Sequence, residues 1–372
     1  MRARDFGITI GTGRPGPLNA ITDVPGVGVG HETLVRGAGP LRVGEGPVRT
    51  GVTVVLAHGG ELSTEPLFAG WHRLNGNGEL TGTAWIRESG MLTSAIGLTN
   101  THSVGVVRDA LVAAAARARP EREPFWSLPV VGETWDGLLS DINGQHVTAA
   151  DTDAALAAAT EGPVAEGSVG SGTGMICHGF KGGIGTASRL VETRGAEYMV
   201  GVLVQANQGR RERLAVDGIP VGRLLGEDVV PKPQEPDEGE RRGSIIVVLA
   251  TDAPLLPHQC ERLAQRAGLG VARTGGVGEH WSGDLFLAFA TGNRLEPSEL
   301  GQMPKPVVEL RMLADAYITG LFDAVVEATE ESILNAVLAA ETMVGRDGIT
   351  AHGLDGDLLV DALARYRWGR AS

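Results

Sequence analysis

Short apolar runs rich in β-branched residues recur along the chain, each bounded by glycine or polar residues. They predict strands at residues 51–59, 198–207, 243–252 and 284–291. Nearly every position in these runs is apolar, which is typical of strands that are covered on both faces. We therefore expect a sheet that is buried between other layers.

Alanine-rich and amphipathic stretches lie between these runs and predict helices. Three are expected at residues 106–119, 150–160 and 257–267. Two longer ones are expected at 307–326 and 330–343, with Gly345 and Gly348 as stop signals. Helices that alternate with buried strands favour a layered α/β architecture.

One polar segment interrupts this alternation. Residues 227–242 (EDVVPKPQEPDEGERR) contain three prolines and many charges, and almost nothing apolar follows Val230. Such a sequence cannot bury enough apolar surface to order itself, so we predict a mobile linker. The apolar run of the next strand begins directly after it, at Gly243-Ser244.

Composition limits the classes of function. The chain has 372 residues with an ordinary apolar fraction, and its net charge of −13 argues against nucleic-acid or anionic-membrane binding. The N-terminus lacks the long apolar core of a signal peptide, and no apolar run reaches membrane-spanning length. A cytoplasmic protein is therefore expected. The two cysteines predict buried thiols rather than a disulfide framework.

Glycine is the compositional outlier, with 55 residues, roughly twice the average usage. It is densest at residues 167–188 (GSVGSGTGMICHGFKGGIGTAS), where neither a phosphate-binding loop nor a dinucleotide fingerprint is present. We predict a turn region with close backbone approaches. The nine histidines are scattered without metal-ligand spacing, so no metal site or cofactor is expected.

The junction Gly243-Ser244 offers a specific chemistry. A serine hydroxyl needs a nearby base, and an N-terminal serine carries one in its own α-amine. Cleavage before Ser244 would create that amine, and the hydroxyl can make the cut by attacking the Gly243 carbonyl. Glycine has no Cβ to block the attack and tolerates strained backbone angles. The alternative is a linker that happens to end in Gly-Ser.

Several long motifs resemble one family nearly end to end. They lie at residues 23–33 (DVPGVGVGHET), 67–82 (LFAGWHRLNGNGELTG), 97–106 (GLTNTHSVGV), 132–147, 167–189 and 243–254. Together they resemble the L-aminopeptidase/D-esterase family, which includes the β-peptidyl aminopeptidases.

The resemblance implies a four-layer αββα sandwich, similar to N-terminal-nucleophile hydrolases but connected differently. It implies one catalytic domain over residues 1–372 that cleaves itself before Ser244 into an α-chain, 1–243, and a β-chain, 244–372. The expected substrate is a small peptide, amide or ester with a free amine. Family members form homo-oligomers, commonly tetramers of processed heterodimers.

The resemblance also implies the site. Asn207 matches an oxyanion-binding amide, and Ser282 and Asp284 match a Ser-x-acid pair that supports the nucleophile; some members have Glu in place of Asp284. Glu133 matches the acid that binds the substrate's amine, and Trp135 stands where some members have tyrosine. Each has a plainer alternative: Asn207 as a turn at a strand end, Ser282 and Asp284 as a turn, and Glu133 as a solvated charge.

Two other functions stay open at this point. An acyltransferase of the ornithine acetyltransferase type shares a related fold and self-cleavage, but it uses a threonine nucleophile. An unprocessed binding protein that kept the fold and lost activity is the second.

Overall fold

The computed structural model describes residues 1–121, 125–234, 243–295 and 306–368. Its helices, in chain order, are α1 (Thr83–Ser89), α2 (Val104–Ala118), α3 (Ala149–Ala157), α4 (Pro257–Arg273), α5 (Thr319–Leu338) and α6 (Gly356–Trp368). Its strands are β1 (Gly28–Arg36), β2 (Val48–Leu56), β3 (Leu67–Gly76), β4 (Met91–Leu92), β5 (Ile96–Asn100), β6 (Val130–Thr134), β7 (Ile176–Cys177), β8 (Phe180–Lys181), β9 (Gly183–Thr193), β10 (Ala196–Asn207), β11 (Ser244–Thr251), β12 (Gly283–Ala290), β13 (Met343–Val344) and β14 (Thr350–Ala351).

Two sheets form the centre of the described structure. One has four strands in the order β1-β2-β5-β6, and the other has six in the order β4-β3-β12-β11-β10-β9. Neighbours are antiparallel except β5 with β6 and β11 with β12. A helix lies between the strands of each parallel pair along the chain, α2 in the first and α4 in the second, as parallel crossovers require.

The helices cover the outer faces of the two sheets. Helices α2 and α3 pack on the four-stranded sheet, and α4 and α5 pack on the six-stranded sheet. The layers therefore run helix, sheet, sheet, helix. The four-layer αββα sandwich expected from the sequence is confirmed.

Strand β11 lies inside the six-stranded sheet and faces both apolar layers. Ile245 and Val247 belong to the core between the sheet and helices α4 and α5, whereas Ile246 and Val248 belong to the core between the two sheets. Every residue of β11 is buried. The unbroken apolar run in the sequence is thus explained by burial on both faces.

The predicted strands and the first three predicted helices are found with boundaries shifted by a few residues. The helix predicted at 307–326 is wrong over 307–318, because backbone groups there bond to other segments. Arg311 N–H donates to Asn293 Oδ1 (3.0 Å), Asn293 Nδ2 donates to the Arg311 carbonyl (2.8 Å), and Leu313 N–H donates to the Pro254 carbonyl (2.9 Å). The remainder joins the helix predicted at 330–343 to form the single helix α5, which ends at Leu338, so the prediction is wrong over 339–343.

The first part of the predicted linker makes tertiary contacts. Val230 is buried and its carbonyl accepts a hydrogen bond from Arg211 (2.8 Å), while Lys232 pairs with Glu227 at 2.8 Å. Residues 235–242 of that predicted segment lie outside the described residues. None of the helices in the described ranges is long and apolar enough to cross a membrane.

A buried ionic cluster ties the N-terminal segment and β9 to α5. Glu331 accepts hydrogen bonds from Arg189 (2.6 Å), Arg4 (2.8 Å) and Asn19 (2.6 Å), and its side chain has no exposed surface. Burial alone would raise the pKa of Glu331, but its hydrogen bond with Arg4 and the charge of Arg189 hold it below the usual value. The carboxylate is therefore ionised and fully partnered.

Glu331→Ala is expected to lower the free energy of unfolding by about 3–5 kcal/mol, because it leaves Arg189 buried without its main partner. Urea denaturation followed by circular dichroism measures the change. The control is Glu45→Ala, which removes an exposed ion pair; the side chain of Arg42 is 75% exposed and that of Glu45 is 72% exposed. This variant should lower the free energy of unfolding by about 1 kcal/mol or less. Equal losses in the two variants would contradict this account.

Candidate functional site

Ser244 is the first residue of β11, in the middle of the six-stranded sheet. Its backbone pairs with Asn207 of β10 on one side and with Gly283 of β12 on the other. Its hydroxyl donates to the Gly243 carbonyl (2.8 Å) and accepts the backbone N–H of Gly283 (3.1 Å). The hydroxyl is thus held beside the one peptide bond at which cleavage is predicted.

Gly243 packs against the chain that follows β10. A Cβ at this position would lie 3.1 Å from the Asn207 carbonyl oxygen and 3.2 Å from Gln208 Cα. Close approach of the backbone is therefore one reason for glycine here.

The Asn207 side chain is held at both ends. Its Oδ1 accepts the backbone N–H of Ile176 (2.7 Å), and its Nδ2 donates to the carbonyl of Trp135 (2.9 Å). These bonds fix which end of the amide carries the N–H groups. Because an amide nitrogen has two N–H groups, one more is left to donate beside Ser244.

The glycine-dense segment supplies the Ile176 N–H that orients Asn207. Lys181 lies fully buried in this segment, and its Nζ donates to the carbonyls of Gly172 (3.2 Å), Met175 (3.0 Å) and Gly182 (2.8 Å). Burial lowers the pKa of Lys181 to about 7. The lysine therefore ties together the loop on which the Asn207 orientation depends.

The glycines of this segment allow backbone to pack on backbone, as predicted. A Cβ on Gly183 would meet the Gly167 carbonyl oxygen at 2.0 Å, and one on Gly172 would meet Ile184 N at 2.4 Å. The segment is linked to Ser244 indirectly, because Ile176 hydrogen-bonds the Asn207 side chain and Asn207 pairs with Ser244.

Ser282 and Asp284 flank the Gly283 N–H that binds the Ser244 hydroxyl. The Ser282 hydroxyl donates to Asp284 Oδ1 at 2.5 Å, and both side chains are buried. Burial raises the pKa of Asp284 to about 6, against smaller opposing effects of the Ser282 hydroxyl and the Ile245 backbone. The carboxylate is thus an acceptor that titrates just below neutral pH.

Glu133 presents a second buried carboxylate, close to the backbone of Gly283. It accepts the Glu79 N–H (3.0 Å) and the Thr101 hydroxyl (2.5 Å). Burial raises the pKa of Glu133, and these two hydrogen bonds partly oppose the rise. A Cβ on Gly78 would lie 3.0 Å from Glu133 Oε1 and 3.1 Å from Gly283 Cα, so the carboxylate and the Gly283 backbone flank the same glycine.

A cleft of about 680 Å³ opens at Ser244 and Glu133, whereas Asn207, Ser282 and Asp284 are not part of its lining. Ser244 and Glu133 line it, and Trp135 and Trp281 contribute aromatic surface. The Trp135 ring lies over Gly137, where a Cβ would come within 2.6 Å of it. Asn207 contacts the Trp135 carbonyl rather than its ring.

The structure adds groups that sequence reasoning missed. Thr101, in a quoted motif, binds Glu133, and Arg346, in no motif, lines the cleft. Asp136 is buried and accepts from Asn100 Nδ2 (3.0 Å), and burial raises its pKa to about 7. No grouping of three or more His, Cys, Asp or Glu that could hold a metal occurs within the described ranges.

Comparisons with known proteins show which family the chain resembles. The family model for peptidase family S58 matches residues 19–351. The β-peptidyl aminopeptidase BapA of Sphingosinicella microcystinivorans is 48% identical over 98% of this chain and 92% of its own length.

Solved structures give the same result. A β-aminopeptidase of Burkholderia sp. is 54% identical with a TM-score of 0.91, over 98% of this chain and 99% of the other. The L-aminopeptidase D-Ala-esterase/amidase of Ochrobactrum anthropi, described as a serine aminopeptidase with a variant of the Ntn hydrolase fold, is 42% identical with a TM-score of 0.89, over 98% of each chain. The resemblance predicted from the motifs is confirmed, and the chain belongs to peptidase family S58.

Proposed function

We propose that this protein is a serine aminopeptidase that matures by cutting its own chain between Gly243 and Ser244. The observation that carries the proposal is the Ser244 hydroxyl, held 2.8 Å from the Gly243 carbonyl oxygen by its place between β10 and β12. The names of the S58 relatives, which are aminopeptidases, support the activity.

Maturation begins with an N-to-O acyl shift. The Ser244 oxygen forms a bond to the Gly243 carbonyl carbon, the C–N bond breaks, and the nitrogen takes a proton to become the Ser244 α-amine. Water then hydrolyses the ester, releasing a carboxylate on Gly243 and restoring the hydroxyl. The products are an α-chain, 1–243, and a β-chain, 244–372. They stay in one domain because strands of both belong to the six-stranded sheet.

The precursor has no free α-amine at Ser244, so its base must come from elsewhere. We propose Asp284, a buried carboxylate; the Ser282 hydroxyl that donates to it lies next to Gly283, the donor to Ser244. We assign Asp284 and Ser282 the support of the nucleophile by accepting its proton or polarising its hydroxyl.

The mature enzyme carries its base on the nucleophile itself. The α-amine of Ser244, with an ordinary pKa of about 8, takes the hydroxyl proton and returns it to the leaving amine. The remaining N–H of Asn207 stabilises the oxyanion, since a fixed amide donor favours the tetrahedral intermediate over the flat carbonyl. Water then releases the acyl residue.

Glu133 explains why the enzyme takes free amines. A buried carboxylate with two hydrogen-bond donors already in place needs a cation to complete its environment. The ammonium group of a small peptide, amide or ester supplies that cation in the cleft.

We retain two further expectations from the sequence, the cytoplasmic location and a homo-oligomer, with tetramers of processed heterodimers. The oligomer is supported by an exposed apolar stretch, in which Val307, Val308, Leu310 and Met312 are between 41% and 77% exposed.

Ser244→Ala should remain one chain of 38.7 kDa and hydrolyse no aminoacyl p-nitroanilide, because it lacks the attacking oxygen in both reactions. Denaturing gel electrophoresis and an absorbance assay measure the two outcomes. Ser282→Ala is the comparison, and it should process slowly rather than not at all. Normal cleavage of the Ser244→Ala chain would exclude the mechanism.

Glu133→Gln should lower kcat/KM for free-amine substrates by about 10–100-fold, mainly through KM, which corresponds to one charged hydrogen bond. Self-cleavage should proceed normally in this variant because it involves no substrate amine. The matched control is Glu88→Gln, an exposed carboxylate on α1 that is not part of the cleft lining, which should change kcat/KM little. An equal loss in both variants would rule out a specific role for Glu133.

The rate of self-cleavage should fall as the pH drops below about 6. Burial raises the pKa of Asp284 to about 6, so its carboxylate is ionised above that pH and becomes protonated below it. The measurement is the disappearance of freshly made precursor at several pH values. Asp284→Asn should process slowly at every pH, and a wild-type rate that does not change across pH 6 would contradict the assignment.

A further inference from the structure

A single arginine lines the cleft among the described residues. Arg346 belongs to the turn between β13 and β14, and this turn is anchored to the wall of the cleft. The Arg346 N–H donates to the Leu139 carbonyl (3.0 Å), and a Cβ on Gly345 would lie 2.5 Å from Leu139 Cα. The arginine is therefore held against the wall that also carries Trp135.

The guanidinium is oriented but keeps donors to spare. Its Nε donates to the Gly137 carbonyl (2.8 Å), while Nη1 makes only a 3.3 Å contact with Asp347, whose side chain is 42% exposed. Within the described residues, no contact of Nη2 is observed. Arginine has five N–H donors in a planar fork, so a face suited to a carboxylate remains available.

The nearby acids are engaged elsewhere. Asp141, which also lines the cleft, accepts from the Gly44 and Gly144 N–H groups and from His146. Asp347 accepts the Leu41 N–H through Oδ1. These bonds engage the acids with other donors, and the Nη2 donors of Arg346 are left for an anion.

Two opposite charges thus line one cleft, with Ser244 in its lining. Glu133 offers a carboxylate and Arg346 offers a guanidinium, and the Trp135–Gly137 strip of chain lies beside both. A cleft of about 680 Å³ is within the range of small-molecule pockets, roughly 300–1,000 Å³, which suits a short peptide.

We infer that Arg346 binds the C-terminal carboxylate of the substrate, and that the protein's preferred substrates are short peptides with both termini free. This rests on the proposed aminopeptidase function, in which Glu133 takes the ammonium group. Arg346 then selects dipeptides and other very short peptides, because only in these do both termini lie inside the cleft.

The test compares substrates that have a free C-terminal carboxylate with substrates that lack one. They are L-alanyl-L-leucine and β-alanyl-L-leucine, their C-terminal amides, and the matching alanyl and β-alanyl p-nitroanilides. Wild type should hydrolyse the free acids with a higher kcat/KM than the amides. Arg346→Gln should lower kcat/KM for the acids by about 10–100-fold, through KM, as expected for one charged hydrogen-bonded pair.

Two readouts separate binding from a structural role. Amide and p-nitroanilide hydrolysis should be nearly unchanged in Arg346→Gln, and Arg346→Lys should recover part of the preference for acids. The control is Arg42→Gln, which alters an exposed arginine paired with Glu45 on a neighbouring loop and should affect no substrate.

Equal loss on acids and amides in Arg346→Gln would overturn the inference, as would a wild type that does not distinguish them while hydrolysing both. Those results leave the aminopeptidase function intact. Absence of hydrolysis of every substrate by wild type, in contrast, would overturn the proposed function together with the inference.

Discussion

The pairing of Ser244 with strands on both sides is the interaction on which the site depends. Asn207, the proposed oxyanion donor, pairs with the first residue of β11 on one side, and Gly283, which lies between Ser282 and Asp284, pairs with it on the other. A shift of one residue would turn the Ser244 side chain to the other face of the sheet. The alternating burial of the β11 side chains in two cores prevents such a shift, so hydrophobic packing fixes the position of the proposed nucleophile.

The same arrangement makes a chain cut tolerable. After cleavage before Ser244, β11 would keep its ladder bonds to β10 and β12 and its burial on both faces. Strands from before and after the junction already share one sheet, and α5 is tied to the N-terminal segment by the Glu331 cluster. Loss of one peptide bond therefore removes a covalent link but none of the interactions that hold the layers together.

The site is built from buried polar groups, each of which needs its partners. Lys181 donates hydrogen bonds to three backbone carbonyls. Asp284 accepts a hydrogen bond from a hydroxyl, and Glu133 accepts one from a hydroxyl and one from a backbone N–H. Such groups are costly to bury when unpaired, and their bonds hold them in single orientations when paired. The orientation of Asn207 illustrates this, since it depends on a loop that Lys181 ties together.

Local pattern predicted four of the strands because their runs are almost entirely apolar, as β11 is from Ile245 to Ala250. The four-layer order came from the family resemblance. The Gly243-Ser244 junction was also visible, as an abrupt change from polar to buried. Residues 307–318 were predicted wrongly because their bonds to Asn293 and Pro254 are not encoded locally. Roles for Asn207 and Glu133 came from family motifs, whereas Arg346 could not be found, because its place in the cleft follows from long-range contacts.

The most direct test of the central claim follows activity and chain ends in the same samples. Freshly made protein is sampled over time, and N-terminal sequencing gives the fraction of molecules that begin with Ser244 while p-nitroanilide hydrolysis gives the activity. If self-cleavage creates the active enzyme, activity should rise in proportion to the fraction of molecules that begin with Ser244. Full activity in samples that contain only the intact chain would contradict it.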